Sequence, residues 1–427
     1  MELVHYKLFG HRMSEAMKKF VQNLGISIIG GFIASGLSFM ASVLLGRMLG
    51  PVEYGSYALL VAFTSFLTMF ISIGLETAIV RYNRKNVEQE KKKLFSTIFL
   101  FFVFNSFIWL IVVIILQKYL AMAFSLSPTL ILLGAVWTII NILSIIFENG
   151  LKSLGSFKLV SVARVSQNFC VLLLMILFFY IKNFLSLRIY IVLAIISLLV
   201  ALLFFFKKIG KYILHGFDRE VFAEVFKFSL LSLFGVVAGY LIQNGDSLLI
   251  NHFLGKKELG IYNAYYTLSM IVTGQIVVFF VSAYFPSLIA QKNKRIIVEK
   301  IDKLSKVITI PWIMLNFVTI FLGIKLFGAQ YPFDIKLASF FSLYSLFFLY
   351  GQMYGYITIA GKNNDVIKRM YLVWLLVVLM HFAMLIGLSF FVKLNVYWIL
   401  AFYVITYGLN AVLNKYYCRK SVMITES

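Results

Sequence analysis

Charge is what this sequence has least of. Asp, Glu, Lys and Arg make up only 13% of its 427 residues, about half of the roughly 25% found in soluble proteins. A soluble fold of this length could not solvate its surface with so few charged side chains, so that class is excluded. Hydrophobic residues instead make up 61%, in runs of about 20 residues, which suits membrane-spanning helices rather than barrel strands. We therefore predict an all-α, polytopic membrane protein.

Cysteines are few, and metal-site and nucleotide-binding patterns are missing. Cys170 and Cys418 form neither a disulfide framework nor a metal-ligand spacing, and we expect two inert thiols. There is no Gly-rich phosphate loop and no cluster of His and Cys, so no metal and no cofactor is expected. The net charge of +22 would suggest nucleic acid in a soluble chain. Here the lysines and arginines lie between the apolar runs, so a nucleic-acid partner is not expected.

Twelve apolar runs are long enough to cross a bilayer. They cover 24–46, 55–80, 94–116, 129–149, 165–181, 189–206, 228–251, 259–285, 307–327, 337–358, 371–392 and 396–414. Residues 1–23 are polar and do not resemble a cleaved signal peptide. Lys and Arg number 30 on the side of the termini and nine on the other side. The positive-inside rule therefore places both termini in the cytoplasm.

An internal repeat divides the twelve spans into halves. The segment Leu49-Gly50-x-x-Glu53-x-Gly55-x-Tyr57 recurs as Leu254-Gly255-x-x-Glu258-x-Gly260-x-Tyr262. Each half has an even number of spans, so both halves start in the cytoplasm and are related by an axis along the membrane normal. We predict a cytoplasmic segment (1–23), an N-lobe (24–206), a cytoplasmic linker (207–227), a C-lobe (228–414) and a cytoplasmic tail (415–427).

The repeated motif, LGxxExGxY, has the composition of a capped turn between two helices. Gly50 and Gly255 can end a helix with positive φ. Glu53 and Glu258 then lie near the start of the next helix, where its dipole favours a carboxylate. We interpret the motif mainly as this structural turn, with direct contact to a ligand as the alternative.

The two motif copies, with Gly74-Leu-Glu-Thr-Ala-Ile-Val-Arg-Tyr82 and Leu154-Gly-Ser-Phe-Lys158, resemble the polysaccharide flippase family of the MATE-like exporter (MOP) superfamily, whose members transport O-antigen and exopolysaccharide units. The resemblance implies two six-helix lobes around a central cavity. It also implies a transporter, not an enzyme, in the bacterial inner membrane. Such a protein flips a polyprenyl-pyrophosphate-linked oligosaccharide from the cytoplasmic to the outer leaflet by alternating access. The implied partners are this lipid-linked oligosaccharide, membrane lipids, and a polysaccharide polymerase and chain-length proteins as candidates.

Ionisable residues inside the spans are candidates for ion coupling, because such residues are rare there and usually face a cavity or a partner. Asp246 is the deepest acid, and we expect ion coupling or sugar binding if it faces the cavity; a buried pair inside the C-lobe is the alternative. Glu76 is a second candidate, although it lies near the cytoplasmic end of its span. His381 lies mid-span and fits either a proton-linked site or a hydrogen bond to a neighbouring helix.

Capture of a pyrophosphate headgroup requires cations, and the planar fork of arginine suits phosphate. The candidates are three arginines at the ends of spans, Arg47, Arg81 and Arg164. The alternative is that they only fix the orientation of the spans in the membrane. Deep cations are nearly absent, which departs from the cationic cavity that the family implies.

Small residues mark helix faces that either line a cavity or pack closely, and we favour packing. In span 1 they form two rows, Ser27–Gly31–Ser35 and Ser38–Ser42–Gly46.

Two other functions fit parts of the sequence. A cation-coupled multidrug exporter of the same superfamily has the same topology. A membrane polysaccharide polymerase or glycosyltransferase would need carboxylates on the outer side, where the short loops offer only Glu53, Glu258 and Asp334.

Overall fold

The computed structural model describes residues 15–82, 87–182, 185–290, 295–360 and 364–426. Within these ranges the chain forms twelve α-helices and no strand. The helices are α1 (Glu15–Ser72), α2 (Leu75–Tyr82), α3 (Glu88–Ala123), α4 (Pro128–Ser153), α5 (Phe157–Lys182), α6 (Leu187–Ile209), α7 (Arg219–Leu254), α8 (Lys256–Ala290), α9 (Arg295–Phe327), α10 (Ile335–Ala360), α11 (Asn364–Ser389) and α12 (Val396–Glu426). The all-α prediction is confirmed.

Helix α1 contains the predicted first span and most of the second. The two are separated at Gly50, whose φ of 73° and ψ of 170° are not helical, and Pro51 begins the second segment. Gly255, between α7 and α8, repeats this geometry with φ 88° and ψ 173°. Both glycines occupy a conformation that other residues avoid, which confirms the turn that the repeated motif predicts.

Eight helical segments in the described chain are long and apolar enough to cross a membrane, and the first of them, 25–72, covers the first predicted span and most of the second. The predicted spans on α7, α8 and α10 coincide with helices of 36, 35 and 26 residues that fall outside this set. Two predicted spans differ from the helices that are observed. The span at 371–392 ends earlier, because α11 ends at Ser389. The span at 55–80 is not one helix.

The break in span 2 lies at Ile73 and Gly74, whose φ values are 46° and 81°. A break inside a bilayer leaves backbone carbonyls that need donors. Asn105 of α3 supplies them, because its Nδ2 donates to the carbonyls of Phe70 at 2.8 Å and Ile71 at 2.9 Å. The interruption is therefore satisfied within the protein.

The helices up to α6 form one lobe and α7 to α12 form the other, as the predicted repeat requires. Within the first lobe α1 packs on α4 and α5, and within the second α10 packs on α12 and α8. Between the lobes α1 runs along α8. Buried aromatic side chains, among them Phe63 and Phe102 in the first lobe and Phe341 and Tyr344 in the second, fill the interior by close packing.

The segment that connects the lobes is bound to α3. The Ser96 hydroxyl donates to the carbonyl of Ile213 at 3.1 Å and accepts the amide of His215 at 3.0 Å. We call the side of the bundle that holds this connection, residues 210–218, the linker face. The opposite side holds Gly50 and Gly255, and we call it the motif face.

Asp218 fixes the start of α7 to the same helix. Its amide donates to Thr97 Oγ1 at 3.0 Å, its Oδ2 contacts Lys93 Nζ at 3.0 Å, and its Oδ1 accepts the amides of Glu220 and Val221. The hydrogen bond from the Val221 amide, together with Lys93, holds the pKa of Asp218 below its usual range. The carboxylate thus caps α7 in its charged form.

Candidate functional site

A cavity of about 350 Å³ lies between the lobes, where α1 faces α8. It is lined by Ser35, Ser38 and Ser42 of α1 and by Tyr266, Thr267, Met270, Ile271, Gly274 and Gln275 of α8. Six of these nine side chains carry a hydroxyl or an amide and none is charged. Hydroxyls and amides donate and accept hydrogen bonds, so the cavity is suited to a neutral, hydroxyl-rich ligand.

The serine stripe on α1 follows from its spacing, because positions i, i+3 and i+7 share one face of a helix. Ser35, Ser38 and Ser42 lie on the cavity wall, whereas we favoured packing of small residues for this helix. Gly46, one turn further, does meet a neighbour closely, since an added Cβ would collide with the ring of Phe327. The row therefore lines the cavity over one part and packs over the next.

A buried pair in the second lobe joins two of the predicted coupling residues. The Nε2 atom of His381 on α11 lies 3.0 Å from Oδ1 of Asp246 on α7, and its Nδ1 lies 2.9 Å from Thr406 Oγ1 on α12. The side chains of His381 and Asp246 are 0% and 2% exposed. Neither lines the described cavity, so the arrangement matches the buried-pair alternative.

Tyrosine rings surround this pair. Tyr403 stacks at a tilt on Tyr344 and lies 6.1 Å from the His381 ring, and Tyr407 contacts both tyrosines. The Asp246 Oδ2 atom is buried and has no hydrogen-bond partner among the described residues. An apolar, aromatic shell with one unmatched carboxylate oxygen is costly unless the carboxylate binds a proton or a cation.

The third coupling candidate, Glu76, lies in the first lobe, directly after the break in span 2. It occupies the first turn of α2 and is half-buried. Its carbonyl accepts Nδ2 of Asn149 from α4 at 3.1 Å. The structure therefore does not bring Glu76 together with Asp246 and His381, which belong to the other lobe.

Two of the three candidate arginines, Arg164 and Arg47, have described side chains, and they lie at different faces of the bundle. Arg164 on α5 donates from Nε to Glu148 Oε2 at 2.7 Å, and Lys152 contacts the other oxygen of Glu148 at 2.5 Å. Glu148 is buried, whereas 52% of the Arg164 side chain is exposed. Arg47 lies at the motif face with an exposed side chain and accepts Gln330 Nε2 on its carbonyl. The side chain of Arg81 lies outside the described residues.

Glu53 of the repeated motif lies near the start of its own helical segment, three residues after Gly50, and it also binds the start of a second helix. Its Oε2 accepts the amide of Leu187, the first residue of α6, at 3.2 Å. The carboxylate thus joins the start of span 2 to the start of α6 at the motif face. Sequence spacing could not show this, because the two segments are 134 residues apart.

Comparisons with known proteins agree with this architecture. The family model described as "Polysaccharide biosynthesis protein" matches residues 20–291, most of the chain. An uncharacterized membrane protein of Methanocaldococcus jannaschii is 20% identical over 269 residues, which cover 57% of this chain. The match spans 53% of that relative, about half of its length.

Solved structures with the same fold include a multidrug resistance MATE family transporter of the MOP superfamily. Its inward-facing conformation has a TM-score of 0.71 at 12% identity, covering 94% of this chain and 99% of that one. An outward-facing conformation of such a transporter has a TM-score of 0.61 at 14% identity, covering 96% of each chain. At these identities the likeness shows the fold alone.

Proposed function

The chain belongs to the polysaccharide biosynthesis protein family, and from this membership we propose that it flips a lipid-linked oligosaccharide across a membrane by alternating access. The substrate is a polyprenyl-pyrophosphate-linked repeat unit, moved from the cytoplasmic to the outer leaflet of the bacterial inner membrane. It serves O-antigen or exopolysaccharide synthesis, with the termini and the linker face in the cytoplasm. In this proposal the protein is a transporter without catalytic residues.

The observation that carries the proposal is the lining of the cavity between the lobes. Six of the nine residues here carry a hydroxyl or an amide, placed among apolar surface. Sugar hydroxyls need such partners, because an unmatched polar group loses about 1–3 kcal/mol on burial. The absence of charge among the nine lining residues indicates that the cavity holds the neutral glycan rather than the pyrophosphate.

The anionic headgroup then requires a cation elsewhere, and Arg164 is the described candidate on the cytoplasmic side. Its Nε–H is held by Glu148, while half of its side chain surface is exposed, so the rest of the guanidinium fork can meet a phosphate. We propose that Arg81, on the same side, shares this role, and that Arg47 at the motif face contacts the headgroup on release.

Coupling to an ion gradient is assigned to the Asp246–His381 pair, with Glu76 as a candidate in the other lobe. With Asp246 ionised, Nε2–H of His381 donates to Oδ1 and the Thr406 hydroxyl donates to Nδ1. If His381 takes up a proton, both nitrogens donate and the Thr406 hydroxyl accepts instead. A hydroxyl serves in either role, so Thr406 can partner His381 in both protonation states.

A reconstituted flipping assay tests the proposal. Proteoliposomes containing the chain should move a fluorescent lipid-linked oligosaccharide between leaflets faster than empty vesicles. Replacing Ser35, Ser38 and Ser42 together with alanine should raise the apparent KM about tenfold or more, because each lost hydrogen bond is worth about 0.5–1.5 kcal/mol. Ser27→Ala, on the same helix but outside the described cavity lining, is the matched control. Flipping at the rate of empty vesicles would refute the function.

A multidrug exporter remains a second candidate, because the fold is shared with a multidrug resistance transporter over 94% of the chain. The same vesicles loaded with a cationic dye decide between the two. Dye export without movement of the glycolipid would favour the exporter.

A further inference from the structure

We propose that the two copies of LGxxExGxY together form the outer gate of the transporter, and that the Tyr54–Thr267 contact makes this gate respond to what occupies the cavity. This inference rests on the proposed function for its orientation and for alternating access. It gives the repeated motif a role in the transport cycle, beyond that of a capped turn.

The two motifs pack directly on each other across the lobes. A Cβ added at Gly55 would collide with the carbonyl oxygen of Lys256, and one added at Gly260 would collide with the carbonyl oxygen of Pro51. The contact is reciprocal, since each glycine faces the backbone of the other copy, as expected for a self-complementary interface between related halves. Only glycine lets two helices approach this closely.

Three further hydrogen bonds close the same face. Gln330 Nε2 donates to the Arg47 carbonyl at 2.8 Å and the Tyr331 hydroxyl donates to the Gly46 carbonyl at 2.8 Å. Asn251 Nδ2 donates to Ser125 Oγ at 3.0 Å. Every one of these bonds joins the first lobe to the second at the motif face. Opening that face requires all of them to separate together with the glycine crossing.

Thr267 belongs to both the gate and the cavity. It lines the cavity, and its Oγ1 lies 3.5 Å from the hydroxyl of Tyr54. Tyr54 belongs to the first motif and is wholly buried. At this length the hydrogen bond is weak. A ligand hydroxyl that bonds Thr267 competes with Tyr54 for it, so occupation of the cavity removes one bond from the gate.

The orientation of the molecule identifies the state that this closed face represents. The excess of Lys and Arg on the side of the termini places the motif face on the outer side of the membrane. A molecule that is closed at its outer face is inward-facing.

Thiol labelling of a cavity cysteine tests the gate without any substrate. In a chain carrying Cys170→Ser and Cys418→Ala, Ser42→Cys should react slowly with an impermeant maleimide added outside. Tyr54→Phe and Tyr331→Phe each remove one gate hydrogen bond and should raise that rate severalfold. Tyr57→Phe keeps the ring contacts of this residue with Tyr54 and Tyr190 and removes none of the hydrogen bonds named between the lobes, so it is the matched control. Equal labelling in all four chains would overturn the gate.

A cross-link supplies the second measurement. Ser125→Cys and Asn251→Cys replace two side chains within hydrogen-bond distance, so oxidation should join them and stop flipping, and reduction should restore it. Flipping at an undiminished rate by the oxidised pair would also overturn the gate. Absence of flipping in the reduced pair and in the unmodified chain would instead count against the proposed function, and the labelling result would still decide the gate.

Discussion

At the scale of single residues, the second lobe concentrates its polar chemistry in a few buried side chains. Asp246, His381 and Thr406 come from three helices and contact one another inside an aromatic shell. Removing one member of a buried pair leaves the other unmatched, which is the usual reason for large losses on substitution. Asparagine at 246 is the mildest change, because it keeps a partner for His381 and removes only the charge.

Asp246→Asn should therefore leave the apparent KM for the glycolipid near that of the unmodified protein and abolish the acceleration of flipping by a proton gradient. The neutral amide cannot exchange a proton with His381. Flipping rates in vesicles with and without an imposed pH gradient measure the effect. Ser342→Ala, which removes a buried hydroxyl of the same lobe that donates to the Ala338 carbonyl, should retain the acceleration. A full response of Asp246→Asn to the gradient would show that coupling lies elsewhere.

Asn105 is a second residue whose role is local and measurable. Its amide holds two backbone carbonyls at the break in span 2, and Asn105→Leu would leave both unmatched in the interior. We expect a loss of about 1–3 kcal/mol in stability, seen as a lower midpoint of thermal unfolding in detergent. Asn168→Ala, which removes a bond within one exposed helix turn, should change stability by less than about 0.5 kcal/mol. Equal effects of the two changes would show that the break needs no cap.

At the scale of helices, the sequence predicts which segments are helical far better than where a helix is interrupted. The spans could be located from twelve apolar runs, separated by loops that are alternately rich and poor in Lys and Arg. Length and hydropathy suffice because they decide membrane insertion. The break at Ile73 was not predictable, since nothing in Ile-Ser-Ile-Gly distinguishes a kinked helix from a straight one. The donor that makes the break tolerable, Asn105, lies on another helix and is visible only in three dimensions.

The same limit applies to the candidate site. Asp246 and His381 were recognisable in the sequence as ionisable residues within apolar runs. Their contact with each other could not be predicted, because 135 positions separate them in the chain. The serines on α1 were visible in the sequence as rows of small residues. The sequence did not decide whether these rows face a cavity or a neighbouring helix. Glu53 accepts an amide of α6 because tertiary packing brings the start of that helix to it, which spacing along the chain does not reveal.

Asp218 links the start of α7 to α3 through a charge, which gives this element a pH dependence. Its pKa is lowered in the folded protein, so its contribution to stability is complete above the ordinary aspartate pKa and is lost as pH falls through the lowered value. Asp218→Asn should unfold at a lower temperature than the unmodified chain near pH 7, and the difference should shrink in strongly acidic buffer. A difference that grows with acid would contradict the sign. Thermal unfolding in detergent across this pH range is the measurement.

At the scale of the whole molecule, the predicted orientation is open to a direct test. Cysteines placed singly at His215, on the linker face, and at Lys118, toward the motif face, are both exposed. In a chain without other cysteines, an impermeant maleimide added to intact cells should label Lys118→Cys, and His215→Cys should react only after permeabilisation. The reverse pattern would invert the topology and with it the direction of transport.

The attachment of residues 210–218 to α3 has a consequence for how a bulky lipid reaches the interior. The lobes meet along two seams, one where α1 runs along α8 and the other where α2 packs against α7. The connection between the lobes, bound to α3, lies on the side of the second seam. A polyprenyl tail that must stay in the bilayer while its glycan enters cannot slide past a covalent tether. We therefore expect the lipid to enter beside α1 and α8, so that the two sides of a pseudo-symmetric molecule are mechanically unequal.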